Sequence, residues 1–296
     1  MKKGKIFILL IMTILLSGCD FKTNINTDSM KDIDVYTTTY PIRYLIESLY
    51  GDNSTIKSIY PSGIDPNDFE LSDKKIDEYA HSDLFVFNSL DKDRDFAVSM
   101  INKNKNLKII DVSMGMTYEN DIAELWLNPY NYLMMAQNTK NGLLEYISNP
   151  YLVSNKEGTG IEDKYEILKY DLSRLDADMK ETISLASYNT IVVDNDMFKF
   201  LEKYNLNVIC LEENDDLTDT MINEAKKLIN EGKVKYIYSS KEETNNTCNS
   251  LIDIYGIELI TLNTMQSIDG GITNSNENYI TVMNNNLDLL NKELYK

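Results

Sequence analysis

One stretch, Ile161 to Ala186, limits the architecture more than any other. Apolar side chains recur there at Ile161, Tyr165, Leu168, Leu172, Leu175, Met179, Ile183 and Ala186. Gaps of three and four residues place them on one stripe of an α-helix. No Gly or Pro interrupts the stretch, and Thr159 with Glu162 has the form of a capping box at its start. Such a helix is roughly 40 Å long, about the width of a domain. Short strand and helix patterns alternate on both sides of it. The spacing therefore predicts a stiff rod joining two similar α/β halves. A coiled coil is the competing reading, but the stripe is too short for many heptads.

The first half reads as strands at Ile33 to Thr39, Thr55 to Tyr60, Leu84 to Asn88 and Leu107 to Val112. Helices are expected from Ile42 to Tyr50 (started by Pro41 and ended by Gly51), from Ser72 to Ala80, from Asp93 to Asn102 and from Pro129 to Ile147. The second half offers strands at Thr190 to Val193, Val208 to Leu211, Val234 to Tyr238 and Glu258 to Leu262. Helical patterns lie at Met197 to Tyr204, Thr218 to Asn230, Thr244 to Tyr255 and Tyr279 to Leu294. Strict alternation predicts parallel sheets with right-handed crossovers. The expected fold class is α/β: two lobes, each a four-stranded parallel sheet flanked by helices, joined by one long rigid helix. In open sheets of this kind ligands bind beyond the carboxyl ends of the strands, here between the lobes.

The beginning of the chain sets its expected compartment. Lys2, Lys3 and Lys5 precede an almost unbroken apolar run from Ile6 to Leu16, followed by Leu16-Ser17-Gly18-Cys19. That is the form of a secretory leader, too short for a spanning helix. It also resembles the lipobox of bacterial lipoproteins, which would make Cys19 the lipidated first residue. A plain signal peptide is the alternative. Residues 1–18 are thus expected as leader, 19–32 as a polar leash, 33–158 as the first lobe, 159–187 as the connector and 188–296 as the second lobe. The mature protein would sit on the extracellular face of the membrane.

The chain carries a formal charge of −18, and losing the three leader lysines would leave −21. So acidic a surface argues against nucleic acid as a partner. Cys210 falls in an expected buried strand and Cys248 in an expected helix; a disulfide between them stays open, with two buried thiols favoured.

The strand-end turns carry a family resemblance. Pro61-Ser62-Gly63-Ile64-Asp65-Pro66-Asn67-Asp68-Phe69-Glu70, Glu124-Leu125-Trp126-Leu127-Asn128-Pro129 and Val192-Val193-Asp194-Asn195-Asp196-Met197-Phe198 occur in order. The closing Tyr279-Ile280-Thr281-Val282-Met283-Asn284-Asn285-Asn286-Leu287 follows them. Together they resemble the signatures of the zinc- and manganese-binding lipoproteins of bacterial ABC importers, from about Val35 to Leu294. The resemblance implies a solute-binding protein with no enzymatic activity, a permease and an ATPase as partners, a lipid anchor in the membrane, a monomeric state and a divalent cation as transported ligand.

The ligand positions depart from that pattern. Where the family carries histidine, histidine, histidine or glutamate, and an acid, this chain places Asn67, Glu124, Asn195 and Asn263. No His-rich loop is present, and the single histidine, His81, ends a helix away from the expected cleft. Zn²⁺ prefers imidazole, thiolate and carboxylate, and a neutral amide oxygen is a weak ligand for it. Glu124 is the best remaining metal candidate. Asp68, Asp194 and Asp196 flank the positions. Three readings stay open: a weak or lost metal site with turn-capping amides, an altered ion of the hard type, or a neutral pocket for an organic solute. A surface adhesion protein on the same scaffold is the alternative function. Gly270-Gly271 lacks the setting of a phosphate loop, and His81 so placed leaves no Ser-His-acid set. A rigid connector implies small lobe movements.

Overall fold

The computed structural model describes residues 30–61, 69–266 and 277–296. The first lobe contains β1 (Ile33–Thr37), α1 (Tyr40–Tyr50), β2 (Ser54–Ser58), α2 (Asp73–Ala80), β3 (Leu84–Phe87), α3 (Asp93–Lys103) and β4 (Lys108–Asp111). Then come α4 (Glu124–Leu127), α5 (Pro129–Tyr146), α6 (Pro150–Val153) and the long α7 (Ile161–Ser184). The second lobe has β5 (Thr190–Val193), a 3-10 helix (Asp196–Tyr204), β6 (Asn207–Cys210), α8 (Asp219–Asn230), β7 (Tyr236–Ser239), α9 (Asn246–Tyr255), β8 (Glu258–Thr261) and α10 (Tyr279–Leu294).

Each lobe holds one four-stranded sheet, ordered β2-β1-β3-β4 and β6-β5-β7-β8, with every pairing parallel. The two sheets follow one plan. In each, the strand order reverses beside the first strand, between β1 and β3 and between β5 and β7. Such reversals open the crevice in which α/β sheets bind ligands.

Side-chain alternation builds the layers. On β3, Leu84 and Val86 face the larger core while Phe85 and Phe87 face a smaller outer one. On β5, Ile191 and Val193 face the larger core and Val192 the outer one. The larger core passes from lobe to lobe along α7, whose Ile161, Tyr165, Leu168, Leu172, Leu175, Met179 and Ile183 are all buried in it. Each such side chain contributes roughly 1.5–3 kcal/mol of burial. The connector is therefore a spine packed along one face against both lobes, and Ala186 lies just past its end.

Local details correct some expectations and bear out others. The cap of α7 is Gly160, with no side-chain bond, so the Thr159–Glu162 capping box does not form. Thr159 is held instead by Asn155, whose Oδ1 accepts from its N–H at 3.2 Å. A Cβ on Gly160 would lie 2.5 Å from Ser154 Cα and 2.6 Å from Val153 O, so close backbone approach dictates glycine there. Asp163, in the first turn of α7, accepts from Ser154 Oγ and the Asn155 N–H. Gly51 does end α1, its N–H bonding to Glu47 O, and at φ −53° it leads directly into a 3-10 turn. The 196–204 segment winds as 3-10 because Phe198, Leu201 and Tyr204 bury at spacing three. Met30, in the stretch expected as leash, is already core, and its carbonyl accepts from the Tyr50 hydroxyl. Cys210 and Cys248 are free thiols on opposite faces of the second sheet, one in the larger core and one in the outer. Burial pushes both up, to about 11 and about 12. His81 is exposed at the end of α2, its Nδ1 bonded to Asp77 O at 2.7 Å.

Candidate ligand cleft

The cleft is lined by the turns that leave the strands. Asn67 and Asp68, after β2, lie outside the described residues, as do Cys19 and Gly270-Gly271. The other three positions are described, and each has its oxygen engaged.

Glu124 opens α4 and is buried. Its carboxylate accepts from the backbone N–H groups of Glu119 (3.1 Å) and Asn120 (3.2 Å) and from Asn120 Nδ2 (2.7 Å). It staples the loop before α4 to the helix. Asn195 caps the 3-10 helix: its Oδ1 accepts from Met197 N at 2.9 Å. Its Nδ2 reaches Glu212 Oε1 at 3.4 Å. Asn263 repeats the arrangement after β8, with Oδ1 accepting from Met265 N at 2.9 Å. Asn286 of α10 grips the Asn263 backbone from both ends, at 2.9 and 2.7 Å. Both asparagines thus form Asx turns, in which the side-chain oxygen stands in for a backbone acceptor.

The carboxylates that face one another are others. Asp121, three residues before Glu124, is pushed up by burial, helped by the charges of Asp196 and Glu124. Glu212, in the turn after β6, is also pushed up, by burial first and then by Asp196 and Asp121, against the Asp196 N–H that it accepts at 2.9 Å. The helix that opens at Glu124 packs against the 3-10 helix that Asn195 caps, so the two turns share one crevice in which these carboxylates repel one another. Sequence reading missed Asp121 and Glu212 because neither stands in a signature; the turn after β6 was the available clue. Asp196, next to Asn195, lies beside Glu212, which accepts from its backbone N–H. Asp194 turns away, its Oδ2 accepting from Thr244 Oγ1 at 2.6 Å beside α9.

The third turn joins through Trp126, whose Nε1–H donates to Thr264 O at 2.8 Å. A second tie crosses at Lys203, bonded to Asn128 Oδ1 (2.5 Å) and Asp176 Oδ1 (2.9 Å). Among the described residues, no three His, Cys, Asp or Glu side chains are grouped so as to hold a metal ion.

The family described as the periplasmic component A of the zinc-uptake complex, ZnuA, matches residues 35–293. The chain belongs to this family. Its members are solute-binding proteins of ABC transporters, not enzymes. The zinc-binding lipoprotein AdcA of Streptococcus pneumoniae is 20% identical over 98% of this chain and 60% of its own length. The chain thus spans little more than half of that relative. The high-affinity zinc uptake protein ZnuA of Bacillus subtilis is 24% identical over 99% of this chain and 98% of its own.

Solved structures share the two-lobed fold. The Zn(II)-bound ZnuA-like domain of Streptococcus pneumoniae AdcA superposes with a TM-score of 0.67 at 21% identity, covering 90% of this chain and 100% of that one. The laminin-binding protein Lbp of Streptococcus pyogenes gives 0.66 at 18% identity, covering 89% and 99%.

Proposed function

We propose that this chain is the extracellular solute-binding component of an ABC importer of the metal-uptake type, with zinc binding weak or lost at its family ligand positions. It takes the leader at residues 1–18 as cleaved, Cys19 as lipidated, the polar stretch from 19 up to the buried Met30 as leash, and 33–158 and 188–296 as lobes on the 159–187 connector. A permease and an ATPase would be its partners. The protein would act as a monomer. One observation carries the reading: no described family position offers an imidazole, and the oxygens of Glu124, Asn195 and Asn263 already accept backbone N–H groups. Coordinating zinc there would mean breaking those bonds for weak amide ligands.

The test is metal content of protein purified without chelator, joined to thermal shifts with zinc, manganese, calcium and small organic solutes. A ligand that binds the folded state raises the melting temperature by mass action. The expected outcome is substoichiometric zinc and no zinc shift of the size that a tight ligand gives. Stoichiometric, chelator-resistant zinc would refute the reading.

A surface-interaction role is the second reading. It is supported by the scaffold itself, since a protein named for laminin binding has the same fold. Immobilised host matrix proteins captured by this chain, with no response to any solute, would favour it over transport.

A further inference from the structure

The lobes meet at a point that neither the ligand positions nor α7 explains. Trp126, the only tryptophan in the chain, is 6% exposed. Its indole N–H reaches Thr264 O in the second lobe. Its own carbonyl accepts from the Tyr279 hydroxyl at 2.6 Å, at the start of α10. The Tyr279 ring stacks on Tyr132 of α5, with centroids 4.1 Å apart, and on Tyr44 of α1 at 5.8 Å. Tyr132 is itself fixed by its hydroxyl to Pro41 O at 2.6 Å. A second-lobe ring is thus seated on a first-lobe helix pair while two hydrogen bonds run through one residue.

The acceptor side of this contact is under tension. Met265, next to Thr264, is buried at φ +54°, a left-handed conformation unfavourable for a side chain with a Cβ. Such a backbone persists only when its surroundings hold it. Here the holders are Asn263 Oδ1 on Met265 N, Asn286 on Asn263, and Trp126 on Thr264. The other tie across the cleft runs from Lys203 Nζ to Asn128 Oδ1 at 2.5 Å; the Lys203 side chain is about one-third exposed, where water competes for it, and its salt bridge to Asp176 reaches only α7.

We propose that Trp126 and Tyr279 form a latch that fixes the width of the cleft, with the turn 263–265 as the element held under tension. With the latch made, the lobes keep one spacing whatever the ligand. With it released, they separate along the seam while each sheet stays whole. This goes beyond the transport reading and holds equally for an adhesion protein.

The experiment is amide hydrogen exchange on the full chain in detergent, comparing wild type, Trp126→Phe and Tyr279→Phe. Each substitution keeps a ring and deletes one hydrogen-bond donor. Exchange at 124–128 and 263–266 should quicken by roughly fivefold to tenfold in both variants. Strands β3, β5 and β7 should keep their protection. In Tyr279→Phe, Trp126 should also emit at longer wavelength and be quenched more readily by acrylamide. Unchanged exchange at both segments would overturn the latch. So would loss of protection in the strands together with the seam, since that marks residues that hold the general fold. If Trp126→Phe folds poorly, Tyr279→Phe carries the test alone through both readouts.

Discussion

Asp93 shows what a single buried carboxyl does to this protein. It is 2% exposed, and burial pushes it up to about 6, against the Tyr60 hydroxyl that donates to it at 2.5 Å. The folded state therefore holds this proton more tightly than the unfolded chain, whose aspartates titrate near pH 4, at about 3.9. Between about pH 4 and 6 the folded state binds more protons, so stability from this group falls as pH rises. The full effect is at most about 3 kcal/mol. Asp93→Asn should remove that slope, which urea melts of both proteins across that window would measure. At Glu124 the expectation concerns the loop: Glu124→Ala strands the N–H groups of Glu119 and Asn120 and should cost about 1–3 kcal/mol. Thermal melts would read it. Residue identities at these positions were legible in the sequence; hydrogen-bond partners were not. Asn195 and Asn263 were readable as turn-formers, but that each amide oxygen faces a backbone N–H two residues on is a matter of backbone path. Glu212 was invisible because its neighbours, Asp196 and Asp121, come from distant turns.

Among the elements, α7 was the most legible, since a buried stripe must repeat at helical spacing and Ile161 to Ile183 does so. Its start was not. Whether Thr159 or Gly160 caps the helix depends on how closely α6 approaches, which local pattern does not encode. Gly160→Ala should destabilise the protein by about 1–3 kcal/mol, because Ser154 backbone atoms must shift to admit a methyl group. Leu172→Ala, at the fully buried middle of the stripe, should cost about 2–5 kcal/mol. Chemical denaturation of both variants would rank them. The 3-10 helix at Asp196–Tyr204 was readable as helical, and its apolar spacing of three held the finer answer.

At the scale of the molecule, the two parallel sheets follow from strand–helix alternation, which is why the fold was readable from pattern; their shared strand order does not, because alternation leaves open on which side of the first strand each later one pairs. The cleft was readable only in location. Its carboxylate pairing arises where two lobes face each other, and no segment of one lobe contains that information. The apolar core is continuous through α7. Heat should therefore melt both lobes in one transition, with calorimetric and van't Hoff enthalpies equal and near- and far-ultraviolet signals coincident. Two resolved transitions would show that the spine does not couple them.

That shared spine bears on how such a protein can be cut. Residues 33–158 expressed alone would bare the apolar flank that normally covers α7, and would be prone to clump. The same piece made together with its missing half would recover a native partner surface, so the chain behaves as two interlocking fragments of one body and not as beads on a string.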